Sequence, residues 1–86
     1  MSNNLLVNLD KLHTTELGSE RIKRNLGLDT KDAVAWCRQQ ILRADEIVQK
    51  GKNWYAHIDD ITITVNAHSF TIITAHREKH TKRSLL

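Results

Sequence analysis

The stretch Ile61-Thr62-Ile63-Thr64-Val65-Asn66-Ala67-His68-Ser69-Phe70-Thr71-Ile72-Ile73-Thr74-Ala75-His76 decides the fold. Nearly every residue in it favours an extended backbone, and β-branched side chains crowd both sides of a short polar interruption. The pattern predicts a β-hairpin. With Ala67-His68 as a two-residue loop, Val65 faces Phe70, Ile63 faces Ile72 and Ile61 faces Thr74, an apolar ladder on one face. Thr64 with Thr71, and Thr62 with Ile73, make the other face. A slip of one residue mixes Ile and Val with Thr on both faces, so the hydrophobic pattern favours this register. Thr74 and His76 then continue the ladder face to the end of the sheet. Ala-His is not a type I′ loop sequence, and a longer turn is the alternative.

Upstream of the hairpin, Lys52 to Ile58 forms a further strand, with Asp59-Asp60 as its turn into the next. Alternation lets only one of Trp54 and Tyr55 enter the core. Before it, Val34, Cys37, Ile41, Ala44 and Val48 recur at spacings of three and four, a helical stripe that Trp36, Leu42 and Ile47 widen. This second helix opens at Asp29-Thr30 and ends at Gly51. At about 20 residues it is roughly 30 Å long and crosses the whole sheet. The first helix spans Leu12 to Leu26, capped by Thr14 or Thr15, with Glu16 at its positive end. Gly18 marks close packing or a break, and Gly27 is the C-terminal stop. The N-terminal Leu5, Leu6, Val7 and Leu9 dock on the core or on a second subunit. The predicted architecture is α+β, with two N-terminal helices on one face of a three-stranded antiparallel β-meander, in the order α-α-β-β-β. Residues 1–78 form a single domain, and 79–86 a basic tail (Lys79, His80, Lys82, Arg83) expected to fray.

Eighty-six residues make one small domain with a modest stability margin, which a homodimer would widen. Thirteen Lys and Arg against ten Asp and Glu give a net charge of +3, which permits a polyanionic partner without demanding one. The single cysteine, Cys37, excludes an intramolecular disulfide framework and a cysteine metal cluster, and fits a reducing cytoplasm. No secretory signal pattern and no apolar run of membrane-spanning length is present, so a cytoplasmic protein without a membrane partner is expected.

Five histidines invite a metal hypothesis. His76 and His80 have i, i+4 spacing, but that spacing converges on a metal only on a helix, and no third ligand lies nearby. No metal and no cofactor are assigned. His13 and His76 are the better pair for acid–base work, because imidazole exchanges a proton at neutral pH. Arg21, Arg24, Lys52 and Arg77 supply positive charge for a phosphate. RNA cleavage needs only base, acid and cation, since the 2′-hydroxyl is the nucleophile. Trp54 and Tyr55 beside Lys52 and Asn53 are placed to stack a base next to a cation, and whichever ring stays out of the core is partly exposed at a ligand site or a subunit interface. Against each of these stands the simpler assignment: solvated surface side chains, packing aromatics and the solvent side of a half-buried sheet.

The blocks Leu12-His13-Thr14-Thr15-Glu16-Leu17-Gly18, Arg21-Ile22-Lys23-Arg24-Asn25-Leu26-Gly27-Leu28, Gly51-Lys52-Asn53-Trp54-Tyr55 and Ile63 to His76 resemble a bacterial family known as domain of unknown function 3781, over roughly residues 10 to 80. That resemblance implies no activity. A looser one is to the superfamily of barnase-like, EndoU-like, colicin-type and RelE-like ribonucleases. It implies roles for His13, Arg21 and Arg24 on the helix, and for Thr74 and His76 on the last strand. The functional expectation is a small cytoplasmic ribonuclease-like or RNA-binding module, with His13, Arg21, Thr74 and His76 as the catalytic set and Arg24, Lys52, Trp54 and Arg77 contacting RNA. The alternative is a non-enzymatic protein-interaction module, such as a regulator or inhibitor from a mobile element, with a protein partner.

Overall fold

The computed structural model describes residues 4–77; the expected basic tail, with His80, lies outside them. A short helix α1 (Asn4–Val7) and a 3-10 turn (Leu9–Lys11) lead into α2 (Glu16–Leu26), α3 (Ala33–Leu42) and the strands β1 (Glu46–Lys50), β2 (Asn53–Ile58), β3 (Ile61–Asn66) and β4 (Ile72–Arg77). The strands form one antiparallel sheet in the order β1-β2-β3-β4. The fold is α+β as expected, but the sheet has four strands rather than three.

The extra strand is the end of the helix predicted from Asp29-Thr30 to Gly51. The helix starts at Ala33, capped by Asp32, whose carboxylate accepts from the Ala35 amide at 3.0 Å, and stops at Leu42. Ile47 and Val48 are adjacent and β-branched, which suits a strand better than a helix. Gly51 has φ +60°, and Gly51-Lys52 closes a two-residue loop with positive φ at its first position, where hairpins prefer glycine. Five rungs, Glu46–His57 to Lys50–Asn53, give β1 its backbone partners and cover the edge that β2 would otherwise expose.

The first helix is shorter than expected at its start. Thr15 is the cap, accepting from the Gly18 amide at 3.0 Å, with Glu16 in the first turn. Leu12 to Thr14 is extended instead. His13 forms a parallel bridge with Thr71, donating its amide to the Phe70 carbonyl at 3.2 Å and accepting from the Ile72 amide at 2.8 Å. The Thr14 hydroxyl donates to the Ile72 carbonyl at 3.0 Å, and the Asn25 side chain to the Ala75 carbonyl at 3.3 Å. These bonds bind the approach to α2, and α2 itself, along the outer edge of β4.

The core lies between the helices and one face of the sheet. Leu5, Leu9, Leu12, Ile22, Leu26, Ala33, Cys37 and Ile41 meet Trp54, Ala56, Ile58, Ile61, Ile63, Val65, Ile72 and Ala75. The N-terminal segment therefore docks on its own domain through Leu5 and Leu9, while Leu6 and Val7 remain exposed. Of the two neighbouring aromatics, Trp54 enters the core and packs on Phe70 at a ring separation of 5.4 Å.

The hairpin register differs from the one the hydrophobic pattern favours. Val65 pairs with Ile72, Thr64 with Thr74, Ile63 with Ala75, Thr62 with His76 and Ile61 with Arg77. The longer turn is the one realised, and it spans residues 67–70. The Asn66 side-chain oxygen accepts from the amides of His68 (2.8 Å) and Ser69 (2.9 Å), and the Phe70 amide returns to the Asn66 carbonyl at 2.9 Å. An asparagine that bonds its own downstream backbone builds this kind of turn. Phe70 completes it with φ +61°.

Beyond Ile72 the ladder skips a residue. Val65 and Thr64 are consecutive, whereas their partners Ile72 and Thr74 are separated by Ile73, which bulges out and is 40% exposed. Because side chains alternate along a strand, the extra residue reverses the face of all that follows. Ile72 and Ala75 stay on the core face. Thr74 and His76, expected to continue the apolar ladder, stand on the opposite face with Thr62 and Thr64.

Candidate functional site

The face turned away from the helices is laid out in rungs by the strand pairing. One rung reads Glu46, His57, Thr62, His76; the next reads Val48, Tyr55, Thr64, Thr74. Lys50 and Asn53 begin a third. No helix covers this face among the described residues, yet Thr62 and Thr64 are only 4% and 6% exposed. They sit on a central strand between larger side chains, so the threonines floor a hollow rather than meeting open solvent. That hollow, about 490 Å³, is lined by Val48, Lys50, Tyr55, His57, Thr62, Thr64 and His76.

His57 Nδ1 lies 3.2 Å from the Thr62 hydroxyl. The hydroxyl can donate to this nitrogen or accept from it, so it suits either imidazole tautomer. The Asn53 side-chain amide reaches the Tyr55 hydroxyl at 3.4 Å, anchoring the phenol's outer end. Strands in a sheet are spaced by about 4.8 Å, so the backbones carrying His57 and His76 stand roughly 10 Å apart with Thr62 between them. Two imidazoles, a phenol and an ammonium thus border one hydroxyl-floored hollow. A second hollow, about 600 Å³, lies between the Gly51-Lys52 turn and the 67–70 loop. It is lined by one imidazole, that of His68, and no phenol or indole, and the Asn66 oxygen at its wall is already committed to the loop amides. The smaller hollow is the better candidate site.

The four proposed catalytic residues do not assemble. Thr74 and His76 share the open face. His13 is beside Thr71, five residues along β4 from His76, or roughly 16 Å of strand. Both of its ring nitrogens are occupied: Nδ1 is 3.0 Å from the Lys11 carbonyl and Nε2 3.0 Å from the Thr71 hydroxyl. A carbonyl only accepts, so Nδ1 carries the proton of that bond. His13 is thereby tied into the junction between the N-terminal segment and β4. Arg21 is exposed on α2, whose buried side packs against β4 and the core. The sheet thus stands between that helix and the face that carries His76.

The four residues assigned to RNA contact are also dispersed. Trp54, expected to stack a base, is 5% exposed against Phe70 and has no free face to offer. Arg24 is exposed on α2, and Lys52 sits in the β1–β2 turn at the end of the sheet away from His76. Arg77 makes an ion pair with Asp60 at 3.2 Å. Tyr55 is the aromatic that reaches the open face, and His57 and Lys50 join it. His57 was readable: the Asp59-Asp60 turn pairs Ile58 with Ile61, and so His57 with Thr62. Lys50 was hidden by its assignment to a helix.

Burial pushes the Cys37 thiol from its ordinary value of 9.0 up to about 12, which leaves it a core side chain and a poor nucleophile. No three His, Cys, Asp or Glu side chains among the described residues are grouped to hold a metal ion. No helix among them is long and apolar enough to cross a membrane.

An α+β domain with helices on one face of its sheet and a polar, aromatic-bearing hollow on the other is the class that the fold and site define. Residues 6–76 match the family model described as "Protein of unknown function (DUF3781)", and the chain belongs to that family. No curated protein and no solved structure matches it.

Proposed function

We propose that this protein is a small RNA-binding module that holds single-stranded RNA across the uncovered face of its sheet. The observation that supports it is the hollow itself, where Tyr55 offers a ring to a base, Lys50 a cation to a phosphate, and threonine and histidine side chains hydrogen-bond partners. Bases splayed from a single strand stack on aromatic side chains, while phosphates are met by cations. The net charge of +3 is compatible with the same partner.

A ribonuclease-like activity is the further reading, and the shared rung of His57, Thr62 and His76 favours it. One imidazole takes the proton of a 2′-hydroxyl as that oxygen attacks phosphorus. The other, protonated, gives its proton to the 5′-oxygen as the P–O5′ bond breaks. The products are a 2′,3′-cyclic phosphate and a 5′-hydroxyl, so no cofactor enters the balance. His57 here takes the place first given to His13, and Thr62 and Thr74 lie alongside.

Binding of a fluorescent single-stranded RNA, followed by anisotropy, tests the first reading. Affinity should fall about threefold between 50 and 200 mM salt, the slope of about −0.7 that one phosphate contact by Lys50 gives on a single strand, and about tenfold in Tyr55→Ala, given ~1–3 kcal/mol for one stacked base. No salt dependence and an unchanged Tyr55→Ala would remove it. Cleavage is tested separately on 5′-labelled RNA, whose label stays with the fragment that ends in the cyclic phosphate. A cyclic phosphate product that disappears in both His57→Ala and His76→Ala supports it; RNA that binds but stays intact refutes it.

A further inference from the structure

We propose that the outer edge of β1 is a homodimer interface, where a second copy of the chain pairs antiparallel with it about a twofold axis at Val48. This goes beyond RNA binding and does not depend on it.

Among the described residues β1 has a strand neighbour on one side only. An uncovered edge presents a row of backbone donors and acceptors, a template for another strand. In a two-residue hairpin the pair that closes the loop bonds inward. The alternation that follows turns the amide and carbonyl groups of Lys50, Val48 and Glu46 toward β2 and those of Ile47 and Gln49 outward. A twofold axis through Val48 then sets Ile47 of each copy against Gln49 of the other, so all four outward residues exchange bonds.

The occupant is chosen by the side chains. In Glu46-Ile47-Val48-Gln49-Lys50, antiparallel self-pairing centred on Val48 places Glu46 opposite Lys50 of the second copy, twice over. Opposite charges on facing residues stabilise a ladder, whereas like charges oppose it. Within one strand these two side chains are about 13 Å apart, too far to pair with each other. Val48 meets Val48 at the axis. A shift of one residue either way loses both charge pairs. The faces also agree. Glu46, Val48 and Lys50 lie on the open face of each copy, so the two hollows would join across one eight-stranded sheet, with Lys50 of the second copy entering the rung of Glu46, His57 and His76.

The test is oligomeric state by size-exclusion chromatography with light scattering over a range of protein concentrations. The wild-type chain should be dimeric at tens of micromolar. Gln49→Pro deletes only an outward donor and should yield a folded monomer by circular dichroism. Glu46→Lys sets like charges opposite at both positions and should weaken the dimer roughly tenfold, with Glu46→Lys/Lys50→Glu restoring it. In a non-hydrogen-bonded antiparallel pair the Cα atoms are about 4.5 Å apart, within disulfide reach, so Val48→Cys should cross-link under mild oxidation. Buried Cys37 stays out of that reaction. Lys52→Cys, in the exposed turn, is the control. A wild-type monomer at about 100 µM, a concentration at which even a micromolar dimer is populated, a dimer unchanged by Gln49→Pro, or cross-linking no faster at 48 than at 52 would each overturn the proposal.

Discussion

Replacing Gly18 with alanine should destabilise the protein, although alanine is the better helix former by about 1 kcal/mol in a helix interior. The reason lies one residue before the cap. A Cβ built on Gly18 would collide with the Thr14 hydroxyl and come within 3.2 Å of the Thr15 hydroxyl. Thr14 cannot simply swing away, because that hydroxyl donates to the half-buried Ile72 carbonyl at 3.0 Å. Moving it forfeits the bond, about 1–3 kcal/mol when a buried acceptor is left unsatisfied. The propensity gain offsets up to about 1 kcal/mol, so the net loss is about 1 kcal/mol, or ~4–8 °C in Tm for a domain of this size. Thermal and urea denaturation followed by circular dichroism would measure it. The decisive comparison is a double-mutant cycle. With Thr14→Ala the severe collision is gone and only the tight Thr15 contact remains, so adding Gly18→Ala should then stabilise by up to ~0.5 kcal/mol, a reversal of sign. Thr14→Val, which keeps the bulk without the bond, should leave Gly18→Ala unfavourable. Were Gly18→Ala to stabilise the wild-type chain, or to act alike beside Thr14 and Ala at that position, the steric account would fall.

Asn66→Ala should cost about 1–2 kcal/mol by removing the acceptor that organises the 67–70 loop, while Asn66→Asp keeps that acceptor and should cost less; chemical denaturation distinguishes them. Cys37 supplies a pH dependence. Its thiol titrates near 12 when folded and near 9.0 when exposed, so the unfolded chain loses the proton first. The stability this provides is complete below pH ~9 and declines above it by up to ~1.4 kcal/mol per pH unit, an effect that Cys37→Ala should abolish in denaturation curves taken from pH 8 to 11. A thiol reagent at neutral pH should label Cys37 only as fast as the protein unfolds, and full labelling within seconds in native buffer would contradict its burial. Asp60→Asn should shift stability by no more than ~1 kcal/mol, because its ion pair with Arg77 is about half exposed on both sides and water screens it.

Much of the domain follows from local chemistry that the sequence states outright. The β-branched run from Ile61 made strands wherever it could. Asp59-Asp60 made the turn, and Gly27 stopped α2 after Leu26. Cys37 and Ile41 announced the buried side of α3. These are decisions within a few residues, where the dihedral preferences of a side chain and its own bonds to nearby backbone outweigh everything else. The candidate site was less legible, because each of its members depends on a partner strand. Tyr55 and His57 become neighbours of Thr64 and Thr62 only through pairing, and His76 was assigned the wrong side of the sheet.

What the tertiary structure alone decided comes back to the hairpin between Ile61 and His76. Ile61, Ile63, Val65 and Ile72 do face the core as the ladder requires, yet one asparagine side chain and one extra residue took Phe70 into the turn, Thr74 to the opposite face and Ala75 into the core. Asn66 folds back on the loop amides and lengthens the turn, and Ile73 bulges beyond it. A period of two has no tolerance for an odd insertion, so Thr74 and His76 cross from the core face to the open one. The same limit hid β1, since five residues can satisfy helical and strand periods alike until an unpaired edge beside them settles the matter. Sequence by itself determined which residues could be buried and where the chain could turn. Which face each functional side chain shares, and with whom, was determined by backbone hydrogen bonds between segments distant in the chain.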